Sequence, residues 1–391
     1  MLQKIFILFS LLLVLPDLYI YRLFISRLSD APVLKALYWF PTVLLLAGLL
    51  FLGFFAKESF FSEHTRWMGW FAVALFLCSL PKLIFVLCSL LGLPFQYALH
   101  WPRAPFTYLG LLLGALQAGI ILYGSLVGRT NFERTAVVFQ SPTVPKAFDG
   151  YRIVQLSDIH IGSFDGDAAS IQRAVDMVNA QKPDLIVFTG DLVNHKASEL
   201  DSFQHILGQL QAPDGVYSIL GNHDYGPYYR WNSPREQAQN LIELKERQAA
   251  MGWQLLNNEH VILHHNGDSI ALIGVENEGE PPFSQHGDLT KALRGTEGMF
   301  QLLLSHNPTH WRREVLPQSE VDLMLAGHTH AMQLALGRHS LSSLIYPEWG
   351  GLYTADQGRA LHINIGLGFV GLPFRFGAWP EITLITLRKG K

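Results

Sequence analysis

Long apolar runs fill the first third of the chain, and short ones alternate with polar stretches through the rest. Four runs, at about residues 5–24, 37–55, 68–91 and 106–127, are long enough to cross a bilayer as helices. The first follows Lys4 in the manner of a signal peptide. It lacks a small-residue cleavage site and three further spans come after it, so it is expected to be retained. Trp39, Trp67, Trp70 and Trp101 fall near the proposed span ends, where interfacial aromatics collect. After Arg129 the period changes. Residues 135–139, 153–157, 185–189, 216–220, 261–265, 270–275, 302–304, 323–325 and 382–387 read as strands, with helices expected over 168–180, 200–210 and 234–251. The pattern predicts two domains: an all-α transmembrane bundle of four helices over 1–130, and an α/β domain over 131–391 with helices on the sheet faces.

Charge divides at the same place. Up to Thr135 ten Lys/Arg stand against five Asp/Glu, and beyond it 19 stand against 27, a net of about −8. An acidic surface of that kind argues against nucleic acid as a partner. The two cysteines, Cys78 and Cys88, lie in one apolar run, roughly 15 Å apart along a helix and too far to bridge.

An even number of spans places the N-terminus and the α/β domain on one side of the bilayer. That side carries Lys4, Lys57, Arg66, Arg129, Arg134 and Lys146, against Arg22, Arg27, Lys35 and Arg103 on the other. The excess favours a multi-pass cell-membrane protein with a cytoplasmic α/β domain. Asp17 and Lys82 are the ionisable residues placed well inside spans, each directly after a proline. Both lie roughly 20 Å along helices that run in the same direction, so they are expected to pair.

The chemistry gathers at strand ends. Asp158-Ile159-His160, Gly190-Asp191, Gly221-Asn222-His223-Asp224, Ser305-His306 and Gly327-His328-Thr329-His330 each come at or just past an apolar run. In an extended segment residues i and i+2 share a face, so Asp158 with His160, and His328 with His330, can reach one ion. On a helix they would point apart. The glycines before Asp191, Asn222 and His328 permit tight turns against a metal cluster. Carboxylate, amide oxygen and imidazole without sulfur suit Mn, Fe, Zn or Mg. Each motif alone has an ordinary reading as a turn, a loop or a helix start. All five in this order, each closing a strand, favour a metal site. His195, His205, His264 and His265 are expected to have no special task, while Tyr225, Tyr228, Tyr229 and Trp231 either line a pocket or pack beneath the next helix.

Taken together, the five segments resemble the signature of the calcineurin-like metallophosphoesterases, over roughly residues 135–387. The ending Gly366-Leu367-Gly368, Leu372-Pro373-Phe374-Arg375-Phe376 and Pro380-Glu381-Ile382 is similar to that of the bacterial membrane-associated YaeI/YkuE-like phosphohydrolases. The resemblance implies a metallophosphoesterase sandwich of two mixed β-sheets flanked by helices. It implies one divalent metal ion on Asp158, His160 and His330, and a second on Asn222, His306 and His328, with Asp191 bridging. His223 would contact the phosphate and protonate the leaving oxygen, with Asp224 orienting its ring. Ala331-Met332-Gln333 departs from the group, where glycines usually precede the glutamine, and Ile363-Asn364-Ile365-Gly366 lacks the usual Ser-Arg.

The expected activity is phosphoester or pyrophosphate hydrolysis by in-line attack of a metal-bridging hydroxide. Two cations roughly 3.5–4 Å apart hold such a nucleophile at neutral pH and clamp the phosphoryl oxygens. Four spans exceed what a tether needs, which points to a lipid-linked substrate. The alternatives are a soluble nucleotide or phosphodiester as substrate, a catalytically silent membrane scaffold, or a transporter with a regulatory domain. The complete ligand set weighs against the second, and the few polar intramembrane residues against the third.

Overall fold

The computed structural model describes residues 2–28 and 30–390. It divides into two compact units, Met1–Val127 with Gly371–Phe374, and Gly128–Val370 with Arg375–Lys391.

In the first unit four long apolar helices occupy Leu2–Ile20, Pro32–Phe54, Thr65–Leu99 and Ala104–Leu126. With their continuations they are long and apolar enough to cross a membrane. The third runs well past its expected end, with Pro81 and Pro94 both inside it. Leu13, Leu45, Leu49 and Leu75 form the buried centre. Among them lies a polar cluster. Lys82 Nζ is 2.7 Å from Asp17 Oδ1, Tyr38 donates to the same oxygen at 2.8 Å, and Thr42 donates to Asp17 Oδ2. The predicted Asp17–Lys82 pair is thus in contact, with Asp17 fully buried. Both cysteines are free.

The second unit is a sandwich. One sheet has the order β1 (Glu133–Ser141), β14 (Glu381–Lys389), β2 (Arg152–Leu156), β3 (Leu185–Phe188), β4 (Val216–Ser218), β5 (Trp253–Leu255). The other runs β12 (Gly351–Thr354), β13 (Ala360–Ile363), β9 (Leu323–Ala326), β8 (Phe300–Leu304), β7 (Asp268–Gly274), β6 (Glu259–His265). Both are mixed: β14 is antiparallel to β2, β6 to β7 and β12 to β13, while the central pairs are parallel. The expected architecture is therefore the observed one.

Strand alternation builds three cores. Ile153, Leu185 and Val187 face Leu272, Leu302 and Leu325 between the sheets. Val154, Ile186 and Phe188 turn outward onto helices Ala168–Asn179 and Pro234–Ala250 through Ile171, Val175 and Leu244. Ile273, Leu303 and Met324 are covered by Trp311 and Val315.

Two local expectations fail. The helix expected over 200–210 shrinks to Gln204–Leu207. Glu199 turns back to accept the backbone N–H groups of Asn194, His195 and Lys196, which fixes a tight loop, and Phe203 leaves helical geometry at φ −123°. β5, β12 and β13 were not among the expected strands, and in β13 His362 interrupts the apolar pattern. In the fold that imidazole is buried and pairs with Gln155 Oε1 at 2.8 Å.

Candidate metal centre

The C-terminal ends of β2, β3 and β4 in one sheet and of β8 and β9 in the other carry every candidate ligand. Loops leaving parallel strands all emerge on one edge, so five segments distant in sequence meet there. Backbone bonds stitch them together. Asp158 N–H donates to Gly190 O at 2.9 Å, His160 N–H to Asp191 O at 3.1 Å, and Gly327 N–H to His306 O at 2.9 Å. Two glycines are required by the close approach. A Cβ on Gly221 would lie 2.2 Å from Asp191 Oδ1, and one on Gly327 would lie 1.9 Å from Ser157 Oγ.

Five of the seven ligand candidates adopt left-handed backbone: Asp158 (φ 49°), His160 (45°), Asp191 (60°), His328 (74°) and His330 (50°). That conformation costs roughly 1–2 kcal/mol for each residue with a side chain. Strain of this kind persists where the surroundings over-determine it, and it concentrates at functional sites.

The side chains form three groups: Asp158, His160 and His330 make one, Asp191, His306 and His328 a second, and His160, Asp191 and His223 a third that overlaps both. His160 Nε2 and His330 Nε2 are 3.1 Å apart, and His330 Nε2 is 3.2 Å from Asp158 Oδ1. His306 Nε2 is 3.2 Å from His328 Nδ1. Asp191 Oδ2 reaches the first two groups, 3.2 Å from His306 Nε2 and 3.7 Å from His160 Nε2. Asn222 stands on the β4 turn with its Oδ1 buried and without a hydrogen-bond partner, as is Asp158 Oδ1. Buried acceptors lacking donors, beside imidazole nitrogens a ligand distance apart, fit divalent cations. Outer partners fix two of the rings: His306 Nδ1 bonds Thr189 O at 2.8 Å, and His328 Nε2 meets Tyr346 OH at 3.0 Å.

Electrostatics favour the same state. Burial alone would raise Asp158 and Asp191. His330 beside the first, and His306 and His223 beside the second, outweigh it and hold both carboxyls below the usual range. Burial pushes His328 down to about 3, helped by His306, and lowers His160 and His330 as well. His306 goes the other way: burial opposes its charge, but Asp191 prevails and lifts it to about 9. Ionised carboxylates among mostly neutral imidazoles are what a cation requires of its ligands.

His223 points into this cluster, its ring 4.6 Å from that of His160. Its Nδ1 pairs with Asn194 O at 2.9 Å, leaving Nε2 as the other ring nitrogen, and the residue groups with His160 and Asp191. The expectation that Asp224 orients this ring is incorrect. Asp224 is fully buried and accepts the backbone N–H groups of Asp191, Leu192, Val193 and Gly221. It latches the β3 and β4 turns together, and the Asn194 carbonyl orients the imidazole instead.

Tyr228 lies against His223, with ring centroids 4.4 Å apart, and its hydroxyl accepts from Asn222 Nδ2 at 3.0 Å. Trp231 packs on Tyr229 and bonds Gly226 O, and Tyr225 bonds Glu276. His195, expected to have no task, has its ring 6.5 Å from that of His223. His205 sits in the short helix Gln204–Leu207, and His264 and His265 close β6, away from these groups. Arg375 is the residue that sequence reasoning passed over. Fully buried, it donates to the carbonyls of Gly368, Ala378 and Ile365, and its Nη2 is 2.9 Å from His330 Nδ1. A lone arginine in the apolar Leu372–Phe376 stretch was the available signal. The departure at Ala331 and Met332 also acquires a physical meaning. Both are left-handed, at φ 49° and 46°, positions that glycine occupies without cost.

Comparison with known proteins bears on both units. Residues 151–332 match the family model for calcineurin-like phosphoesterases, and residues 3–129 match that for the transmembrane domain of probable calcineurin-like phosphoesterases. The uncharacterized metallophosphoesterase YkuE of Bacillus subtilis is 31% identical over 296 residues, covering 71% of this chain and 95% of that one. A transmembrane protein with metallophosphoesterase domain from Danio rerio is 32% identical over 291 residues, covering 72% of this chain and 63% of its own length. UDP-2,3-diacylglucosamine pyrophosphatase LpxG of Chlamydia trachomatis is 29% identical over 293 residues, covering 62% and 86%.

Proposed function

We propose, because the chain belongs to the calcineurin-like metallophosphoesterases, that it is a membrane-embedded dimetal phosphohydrolase cleaving a phosphoester or pyrophosphate. Asp158, His160 and His330 would hold one cation and Asn222, His306 and His328 the second, with Asp191 within reach of both. The observation that carries this reading is Asp191 Oδ2, poised between the nitrogen pairs of the two groups. When bound, two divalent cations supply an activated water-derived nucleophile and neutralise the phosphoryl oxygens. The chain's own part is positioning and proton supply. His223, oriented by the Asn194 carbonyl, presents Nε2 to the phosphate and delivers a proton to the departing oxygen. Asp224 keeps the turns bearing Asp191 and Asn222 in register.

Four spans and the lipid pyrophosphate named for the chlamydial relative support a lipid-linked substrate. The charge distribution between loops supports a cytoplasmic catalytic domain. The deciding experiment is a turnover screen with manganese over phosphomonoesters, diesters, nucleoside pyrophosphates and lipid phosphates, with Asp191→Asn as control. Turnover that survives both chelation and this substitution would sink the two-cation reading.

A further inference from the structure

The exposed apolar side chains of the α/β unit are unevenly spread. Met332, Leu336, Leu341, Leu344 and Ile345 are 41, 66, 55, 82 and 61% exposed, and all fall within one short stretch. That stretch joins two parts of the metal centre. It begins two residues past His330 and ends beside Tyr346, whose hydroxyl touches His328.

Its backbone is pinned. Ala335–Leu336 pairs with His339–Ser340 in a small hairpin. Ser340 Oγ donates to Ala331 O at 2.6 Å, Tyr346 N–H donates to Ser342 O at 2.8 Å, and Val370 N–H donates to Gln333 Oε1 at 2.6 Å. These apolar groups are therefore held outward by a built loop. Between Asp322 and Glu348 there is no acidic residue, while Arg338 and His339 lie at the hairpin turn. Clustered apolar exposure with Arg338 at the hairpin turn, on a chain that resides in a bilayer, matches the interfacial zone of an anionic membrane.

We propose that the 332–345 loop is a lipid-facing rim whose side chains enter the acyl-chain region of the bilayer, so that the metal centre acts on phosphoesters borne by membrane lipids. Insertion of the rim stands independently of the hydrolase reading; the choice of lipid-borne substrates rests on it.

The test uses the full-length chain carrying Cys78→Ser and Cys88→Ser in phosphatidylglycerol/phosphatidylcholine vesicles. A fluorophore is attached at Leu344→Cys or, for reference, at Ala249→Cys near the end of helix Pro234–Ala250. Doxyl-labelled lipid should quench the dye at 344 several-fold more than the dye at 249. Equal quenching overturns the proposal, and so does a dye at 344 shielded only by cross-linking to a second copy of the chain. In parallel, Leu344→Glu with Ile345→Glu should lower turnover of vesicle-borne phosphatidic acid, relative to p-nitrophenyl phosphate, about tenfold. An unchanged ratio overturns the lipid-substrate half. If the unsubstituted chain turns over no phosphoester in the screen, the hydrolase reading fails, and quenching still decides the rim.

Discussion

Lys82→Met should destabilise the helical unit more than Asp17→Asn, and the double variant should cost less than the sum of the two. The Asp17 side chain is 0% exposed and that of Lys82 is 22% exposed, with Lys82 Nζ 2.7 Å from Asp17 Oδ1 and 2.9 Å from Oδ2. Removing one partner of a buried ion pair typically costs about 3–5 kcal/mol, because the other charge is stranded. In Lys82→Met the stranded carboxylate keeps the Tyr38 and Thr42 hydroxyls as donors. Each such bond returns about 1 kcal/mol, so the two leave a net cost of roughly 1–3 kcal/mol. In Asp17→Asn the amide oxygen still accepts, and Lys82 retains Thr42 Oγ1 and Cys78 Sγ, each at 3.3 Å, together with a route to the surface. That loss should be nearer 1–2 kcal/mol. The coupling in the cycle should then be about 2 kcal/mol. Steric trapping in bicelles, with tags on the first and third long helices, reports unfolding of this unit alone. Additivity within about 0.5 kcal/mol would refute the pairing argument. A larger loss for Asp17→Asn than for Lys82→Met would refute the argument from unequal burial.

Four further outcomes are expected. Asp191→Asn should abolish turnover and deplete bound metal at both positions while leaving circular dichroism unchanged; full metal content would contradict a shared carboxylate. His223→Ala should keep its metals but lose roughly 10²–10⁴ in kcat on poor leaving groups and less on p-nitrophenyl phosphate, with equal losses showing that it acts on phosphate charge alone. Asp224→Asn replaces a carboxylate that accepts four backbone N–H groups; it should destabilise the α/β unit by about 3 kcal/mol in thermal or urea unfolding and slow both substrates alike. A single cysteine at Lys146→Cys, with Cys78 and Cys88 replaced by serine, should react with an impermeant maleimide in inverted vesicles but not in whole cells.

The parts of the site legible in the sequence are those where residue type and period agree locally. Asp158 and His160, two apart just past an apolar run, do meet in one group, whereas His328 and His330 are divided between two groups and all four are left-handed rather than extended, so the shared-face expectation fails for the second pair. What sequence conceals is conformation imposed from outside the segment. Nothing in Asp-Ile-His announces that Asp158 and His160 sit at φ 49° and 45°; contacts with the β3 turn and with the loop after Gly366 dictate it. Asp224 was misassigned for the same reason. Its neighbour in sequence is His223, but its carboxylate turns back to Asp191, Leu192 and Val193, whose approach depends on β3 and β4 lying side by side. Arg375 escaped because its three carbonyl partners and His330 converge only after β14 has returned alongside β2.

The division of ligands between the sheets has a consequence for folding. Asp158, His160, Asp191 and Asn222 follow strands of one sheet, and His306, His328 and His330 follow strands of the other, so neither sheet holds a complete set for either cation. The two are tied just beneath the site by His306 Nδ1 to Thr189 O, Gln155 Nε2 to Ala326 O and His362 Nδ1 to Gln155 Oε1, each at 2.8 Å. These bonds span the sandwich above the apolar layer of Val187, Ile219, Leu304 and Leu325, whose burial drives the sheets together. Closing the apolar layer thus brings two half-sites into one cluster, and the strain of five left-handed ligands is offset by burial some distance away. Cation binding adds stability only to the closed sandwich, since the separated sheets offer no full coordination set.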